Sequence, residues 1–462
     1  MPPSSAPDKK LLPDLAAQIA NLKASALDQA SIEAVKLHAL DALGCIWAGA
    51  ETSEIKPTHA ALKRAGYAGT AKNLLDNPTA AAAILVTACR LTECDDIHIG
   101  CCVTPSSVVV PVAVAIGQVV NASRDALLEG VLAGYQTMLT LGLAANGAEI
   151  VYKGVWPTYL TGGIGAAAIA AKIMGLDERQ IRDAMAIAGS SATGITGRIE
   201  AEPAPRWFVL ATAVQSGLLA AAAAASGMHG DEAILGKVSP VWNPETVRLP
   251  EQAGPGTPLL ASRIGFKPYC TSRQGLSATE AFIECVRRDK IDPGVIEKVT
   301  IQVPQHYRGM IDRAKRPKTK SESRGIHYQV ALGVLHPEEL CDIEREHVRA
   351  DEPAMLKIMD AVEVVASERL SKLYPKQWGG AVTITAGGKT YEHEVLHPRG
   401  DPENPMSARD IETKLETMSR YLKWPIPVKD YAKAVEALDL RAALPSLIDA
   451  VRAEPIADWG GR

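Results

Sequence analysis

The chain has 462 residues, 47% of them hydrophobic and 22% charged, with a formal net charge of −4. That length exceeds one ordinary core and implies two domains of ordinary soluble composition. The charge excludes a basic field for nucleic acid, and the eight cysteines, without a CxxC pair, exclude a zinc ribbon and a disulfide scaffold.

The first ten residues, MPPSSAPDKK, have no apolar signal core and read as a polar tail. Apolar residues spaced by three and four predict helices over 12–22 and 31–48, and a further helix over 55–65 stops at Gly66. Residues 68–77 are turn-rich. Helices over 80–92 and 106–120 come next, then a long one over 124–146 with Gly130, Gly134 and Gly142 inside it. Such glycines let backbones approach closely, at a cost in helix propensity. Further helices are expected at 162–175, 177–189 and 205–227. The last contains GLLAAAAAASG, which is too short to span a bilayer and suits a buried helix. No strand is expected before residue 260.

The texture changes at 255–258 (PGTP). A helix is expected over 277–288, strands over 299–303, 362–366 and 381–386, and a hairpin turn at Gly387-Gly388. Residues 327–335 and 338–340 read as helical, and 313–320 as a solvated basic loop. After a Pro-rich link at 398–405, helices return at 408–421, 429–438 and 443–451, placed to pack back on the first domain. The expected fold is therefore mainly α, a large all-helical domain plus a smaller α+β domain. The boundaries are 1–262, completed by 402–462, and 263–401. Reduced cysteines and the missing signal imply a cytoplasmic protein with no membrane partner.

The chemistry-bearing stretch is LTECDDIHIGCCVTPSSVVVPVAVAIGQ, residues 91–118. Glu93, Asp95, Asp96 and His98 lie between two apolar helices, where ionisable groups are expensive unless paired or used. The alternative is that the acids only close one helix while Ser106 and Ser107 cap the next. GFKPYCTSRQG, residues 265–275, puts Lys267, Ser272 and Arg273 on a Pro-held loop at the domain junction. Its cations suit carboxylate recognition, and a partly desolvated Lys267 suits proton transfer. Exposed cations on a surface loop are the other reading. Arg206, before the Ala-rich helix, and Arg198 are further anion candidates, or simply solvated. Tyr328 is a proton-donor candidate or a core tyrosine. Walker A, GxGxxG, GxSxG and HExxH motifs are absent, and the ten histidines lack metal-ligand spacing. No cofactor and no metal are expected.

Several stretches together resemble the 2-methylcitrate dehydratase / cis-aconitate decarboxylase (MmgE/PrpD) family, which includes epimerases. They are KLHALDALGCIWAGA (36–50), the 93–118 segment, GGIGAAAIAAKIMGLDERQIRDAMAIAGSSATG (162–194), QSGLLAAAAAASGMHGDEAILGK, GFKPY and HPRGDPENPMSARDIETKLETMS (397–419). The resemblance implies a large helical domain with a smaller α+β lid, a homodimer, and cofactor-free proton movement beside the carboxylates of small di- and tricarboxylic acids. The family's first acid falls on Glu93, its DD pair on Asp95 and Asp96, and its lid lysine on Lys267. Its His-Pro histidine is replaced by Thr104, a second histidine by Trp156, and its lysine before the Ala-rich helix by Arg206. A lid His or Cys is replaced by Ser272 and a later lid His by Leu276. The expected catalytic set is Lys267, Asp96, His98 and Glu93, with His98 standing in for a lost histidine beside Asp96. The expected substrate-binding set is Arg206, Arg273, Thr104, Trp156, Ser272 and Tyr328. The leading activity is a lyase of the dehydratase or decarboxylase type. The alternatives are an epimerase or isomerase of the same substrates, and a non-catalytic carboxylate-binding protein.

Overall fold

A computed structural model describes residues 11–66, 77–195, 204–236, 242, 260–319, 321–345, 349 and 351–450. The N-terminal tail, nearly all of the turn-rich 68–77 stretch, Arg198 and the 255–258 turn lie outside the described residues. Among the described residues the helices of seven or more residues are α1 (Leu11–Asn21), α2 (Gln29–Ala50), α3 (Lys56–Arg64), α4 (Pro78–Leu91), α5 (Ser106–Val119), α6 (Arg124–Ala144), α7 (Pro157–Ile173), α8 (Glu178–Gly189) and α9 (Ala204–Ala225). After these come α10 (Arg273–Arg288), α11 (Ile326–Leu335), α12 (Pro353–Ala361), α13 (Ala408–Ser419), α14 (Val428–Glu436) and α15 (Leu444–Ala450).

Polar residues start many of these helices. The side chains of Asp28, Asn77 and Ser123 accept from the N–H three residues on, and Asp177 with Gln180, and Ser407 with Asp410, form capping boxes. The fold is mainly α, with one small four-stranded mixed sheet in the C-terminal part. Strands β1 (Ile296–Val303), β2 (Val362–Ala366), β3 (Gly380–Ala386) and β4 (Lys389–Val395) lie in the order β2-β1-β3-β4. β1 runs parallel to β2 and antiparallel to β3, and β3 and β4 form the hairpin. Gly387 and Gly388, at φ 54° and 72°, turn it, as a two-residue turn with both central φ positive requires. α10 covers β3 and β4, while α13, α14 and α15 pack on α2.

α4 to α9 are packed so closely that small residues set the spacing. A Cβ added to Gly217 on α9 would lie 2.0 Å from the Gly163 carbonyl oxygen on α7, and one added to Gly49 on α2 would lie 1.8 Å from the Ala88 carbonyl oxygen on α4. Two helices, Arg124–Ala144 and Arg206–Ala225, are long and apolar enough to cross a membrane by composition. Both pack against other helices of the same chain. The α7–α9 contact places three large polar side chains, because Trp156 and Tyr159 stand at the start of α7 and Arg206 at the start of α9. Gly217→Ala is expected to push these helices apart at a cost of about 1–3 kcal/mol, read as a lower midpoint in urea unfolding.

Candidate active site

α4 ends at the acid segment. Thr92 Oγ1 donates to the Cys89 carbonyl at 2.8 Å and accepts from the Cys94 N–H at 3.1 Å, and Glu93 takes a left-handed conformation, φ 49°. A non-glycine residue there is strained and persists only where its surroundings hold it. Those surroundings are cations from four separate elements. Arg90, in the last turn of α4, pairs with Asp95. Lys267 Nζ lies 3.1 Å from the Glu93 carbonyl oxygen and 3.6 Å from Asp95 Oδ1. Arg324 sits 2.7 Å from the Glu93 carboxylate. Lys414, on α13, donates to Asp41 of α2 at 2.6 Å and to the Cys94 carbonyl at 2.7 Å. Apart from Glu93, whose side chain is 17% exposed, all of these groups are buried. Backbone bonds complete the clamp. Ile97 and Gly265 exchange both hydrogen bonds, at 2.9 and 2.8 Å, and the Phe266 N–H donates to the Gly400 carbonyl at 2.8 Å.

The charges fix the protonation states. Burial alone would raise the Glu93 pKa, but Arg324, Lys267 and Arg90 outweigh it and hold the carboxyl at about 2. Burial works against the Lys414 charge, yet Asp41 lifts its pKa well above the ordinary range. Burial, with Arg263 adding to it, lowers His98 to about 4, so this imidazole is neutral at pH 7. Burial pushes Cys102 up to about 12 despite Lys267 and Arg90, which removes a thiolate from the site.

The structure unites some of the expected residues and separates others. Lys267 and Glu93 meet, with Asp95 as the carboxylate beside Lys267. Asp96 does not pair with His98. It accepts from the Ser106 N–H at 3.1 Å and from the Ser106 hydroxyl, at the N-terminus of α5, and His38 Nδ1 lies 2.9 Å away. Ser106 Oγ in turn lies 2.7 Å from the Tyr135 hydroxyl, and His38 stacks on Phe266 with centroids 4.3 Å apart. His98 instead lies 3.2 Å, through Nδ1, from Cys101 Sγ. It lines a cleft of about 710 Å³ with Arg263, Lys372, Lys376, His397 and Glu403. Arg273 is turned away from the acid segment, with both Asp401 oxygens 2.7 Å from its NH2. Tyr328 accepts from the Arg349 N–H at 3.2 Å, and Ser272 occupies the N-cap of α10. Leu276 is fully buried on that helix.

Arg206 and Trp156 do meet, the guanidinium lying 5.0 Å from the Trp156 ring centroid and 6.0 Å from that of Trp207. Arg90 covers the same Trp207 at 4.7 Å. Tyr159, Trp156, Arg206, Trp207, Arg90, Asp95 and Lys267 thus form one continuous arc of contacts. Thr104 ties the acid segment to this arc, because its N–H and hydroxyl lie 2.9 and 3.0 Å from Thr158 Oγ1 at the start of α7. Sequence reasoning missed Arg90, Arg324, Lys414, His38 and Tyr159. The available signal for Arg90, His38 and Asp41 was a charged or titratable side chain inside an apolar helical pattern, which is costly unless paired.

Among the described residues one group, His397, Asp401 and Glu403, brings three potential metal-ligand atoms within 4.8 Å of one another. Arg273 on Asp401, and Arg263 at 3.2 Å from Glu403, already supply positive charge there. That donor set is therefore neutralised by guanidinium groups and is poorly suited to a cation.

Two sets of variants probe this charge balance. Lys414→Met is expected to cost about 3–5 kcal/mol by leaving Asp41 buried and unpaired, whereas Asp41→Leu with Lys414→Met is more stable than Lys414→Met alone; urea unfolding of the set reads the coupling. Glu93 has a folded pKa of about 2 against an ordinary 4.5, so its stabilisation is present above pH 4.5 and is lost as pH falls towards 2. The amount is on the order of 3 kcal/mol. The fall in unfolding free energy over that interval is expected to be shallower in Glu93→Gln.

Residues 13–239 match the MmgE/PrpD N-terminal domain, and residues 269–438 match the MmgE/PrpD C-terminal domain. No curated protein matches the chain significantly.

Proposed function

The chain belongs to the MmgE/PrpD family, whose members are largely enzymes of the dehydratase type, and from that premise we propose that it is a cofactor-independent lyase. Its substrate is a small di- or tricarboxylic acid, and its chemistry is proton transfer next to a carboxylate. The observation that carries this reading is the buried Lys267–Asp95 pair. Nζ and Oδ1 lie 3.6 Å apart, and that oxygen has no hydrogen-bond partner among the described residues.

An acid and a base held together in a water-poor site are what removal of an α-proton and protonation of a leaving group need. Asp95 Oδ1 takes the proton from carbon. The Lys267 ammonium donates to the hydroxyl as the carbon–oxygen bond breaks; in a decarboxylation no proton leaves carbon, and Lys267 instead protonates the carbon that loses CO₂. Arg206, at the start of α9, holds a carboxylate. Glu93 is too firmly ionised by its three cations to be an effective base, and serves to hold Lys267 and Arg324 in place. Asp96 is engaged by Ser106 and His38, so the roles first expected of Asp96 and His98 pass to Asp95. The family resemblance further implies that it works as a homodimer.

The test is proton NMR in D₂O with malate and citrate as representative hydroxy-acids. Loss of water or CO₂ by the wild-type protein is expected, with turnover lowered by at least about 100-fold in Lys267→Met. Full turnover in Lys267→Met excludes the assignment. Deuterium incorporation at carbon without loss of water or CO₂ replaces the lyase by an isomerase of the same substrates.

A further inference from the structure

Two neutral donors on the arc have no acceptor among the described residues: the Tyr159 hydroxyl and the Trp156 indole N–H. Tyr159 is 2% exposed, and a buried hydroxyl without a partner is destabilising, so such groups are rare unless they are used. The two side chains stand three residues apart at the start of α7, their rings stacked with centroids 5.9 Å apart and planes 17° from parallel. Arg206 covers the Trp156 ring. Through Trp156, Arg206 and Trp207 the Tyr159 ring is linked to Arg90 and Asp95. An indole N–H can only donate, so what position 156 offers the site is a place for an acceptor. The start of α7 also favours negative charge.

We propose that Tyr159 and Trp156 together bind a second oxygen of the substrate, the one on which negative charge builds when the adjacent carbon loses its proton. This assignment rests on the lyase reading. It gives one carboxylate to Arg206 and an oxygen of another to the donor pair, so the substrate class is a dicarboxylate or larger. Preorganised donors in a low-dielectric site are effective at stabilising developing charge and need carry none themselves. Neither group titrates near neutrality, so binding has no break near about pH 6.5, where a histidine at either position would change charge.

Succinate is the probe, titrated calorimetrically into the full-length protein. Tyr159→Phe and Trp156→Phe are each expected to weaken its binding at least about tenfold, corresponding to about 1.4 kcal/mol. The Tm of ligand-free Tyr159→Phe is expected to be unchanged or raised, because an unmet hydroxyl has been removed. Trp156→His restores a donor, and with it binding that changes with pH near about 6.5. A Tm several degrees lower in Tyr159→Phe marks the hydroxyl as structural and overturns the proposal. Equal succinate affinity in wild type and both phenylalanine variants overturns it too, while leaving the lyase reading intact if Lys267→Met is inactive. A wild-type protein that neither binds succinate nor turns over malate or citrate overturns both.

Discussion

Everything at the junction depends on a balance of buried charge. Four carboxylates, Asp41, Glu93, Asp95 and Asp96, are answered by Arg90, Lys267, Arg324 and Lys414, with His38 beside Asp96. Buried ions are costly singly and tolerable only when each has a partner in good geometry. The acid segment therefore has little freedom. Its main-chain carbonyls at 93 and 94, as well as its carboxylates, are held by lysines from other elements. That over-determination is what can keep Glu93 in a left-handed conformation. It also leaves Asp95 Oδ1 and Lys267 Nζ facing one another in a protected place.

A second constraint is steric. The chain has few aromatic residues, and its central helices meet through glycine and alanine, with Gly163 and Gly217 in backbone contact between α7 and α9. Close packing of this kind transmits position along rigid helices. The starts of α7 and α9 are thereby set relative to each other, and so are Trp156, Tyr159 and Arg206. Two of the large rings in the helical part lie where cations must be aligned, Trp156 and Trp207 under Arg206 and Trp207 under Arg90.

Much of the fold was legible in the sequence because period and punctuation agreed. The 3.6-residue stripes, the capping residues and the Gly-Gly hairpin gave most of the helices and three of the four strands to within a few residues, but α12 was not expected and α7 begins five residues before its expected start. β4 was implied only by the hairpin turn, because its exposed face carries charged and polar residues. In the site, residue type pointed to the acid segment and to Lys267 but could not assign partners. Asp96 and His98 are two apart in sequence, yet His98 pairs with Val103 as an extended bridge and its ring turns to Cys101, while Asp96 caps α5. Arg273 read as a loop cation because nothing local reveals that Asp401, 128 residues on, will claim it. Arg90 was hidden by its apolar neighbours, and its partner lies only five residues ahead, past a turn that residue spacing does not show.

The position of Lys414 has a consequence for how the protein is made. Its ammonium neutralises Asp41 and anchors the carbonyl of Cys94, but it lies 373 residues after the first of these. A polypeptide emerging from the ribosome has long exposed α2 and the acid segment before α13 is translated. Until then the interior of the helical part holds an acid with no counter-ion, and the early helices can reach only a loosened precursor. Closure of the junction must therefore wait until α13 has been translated.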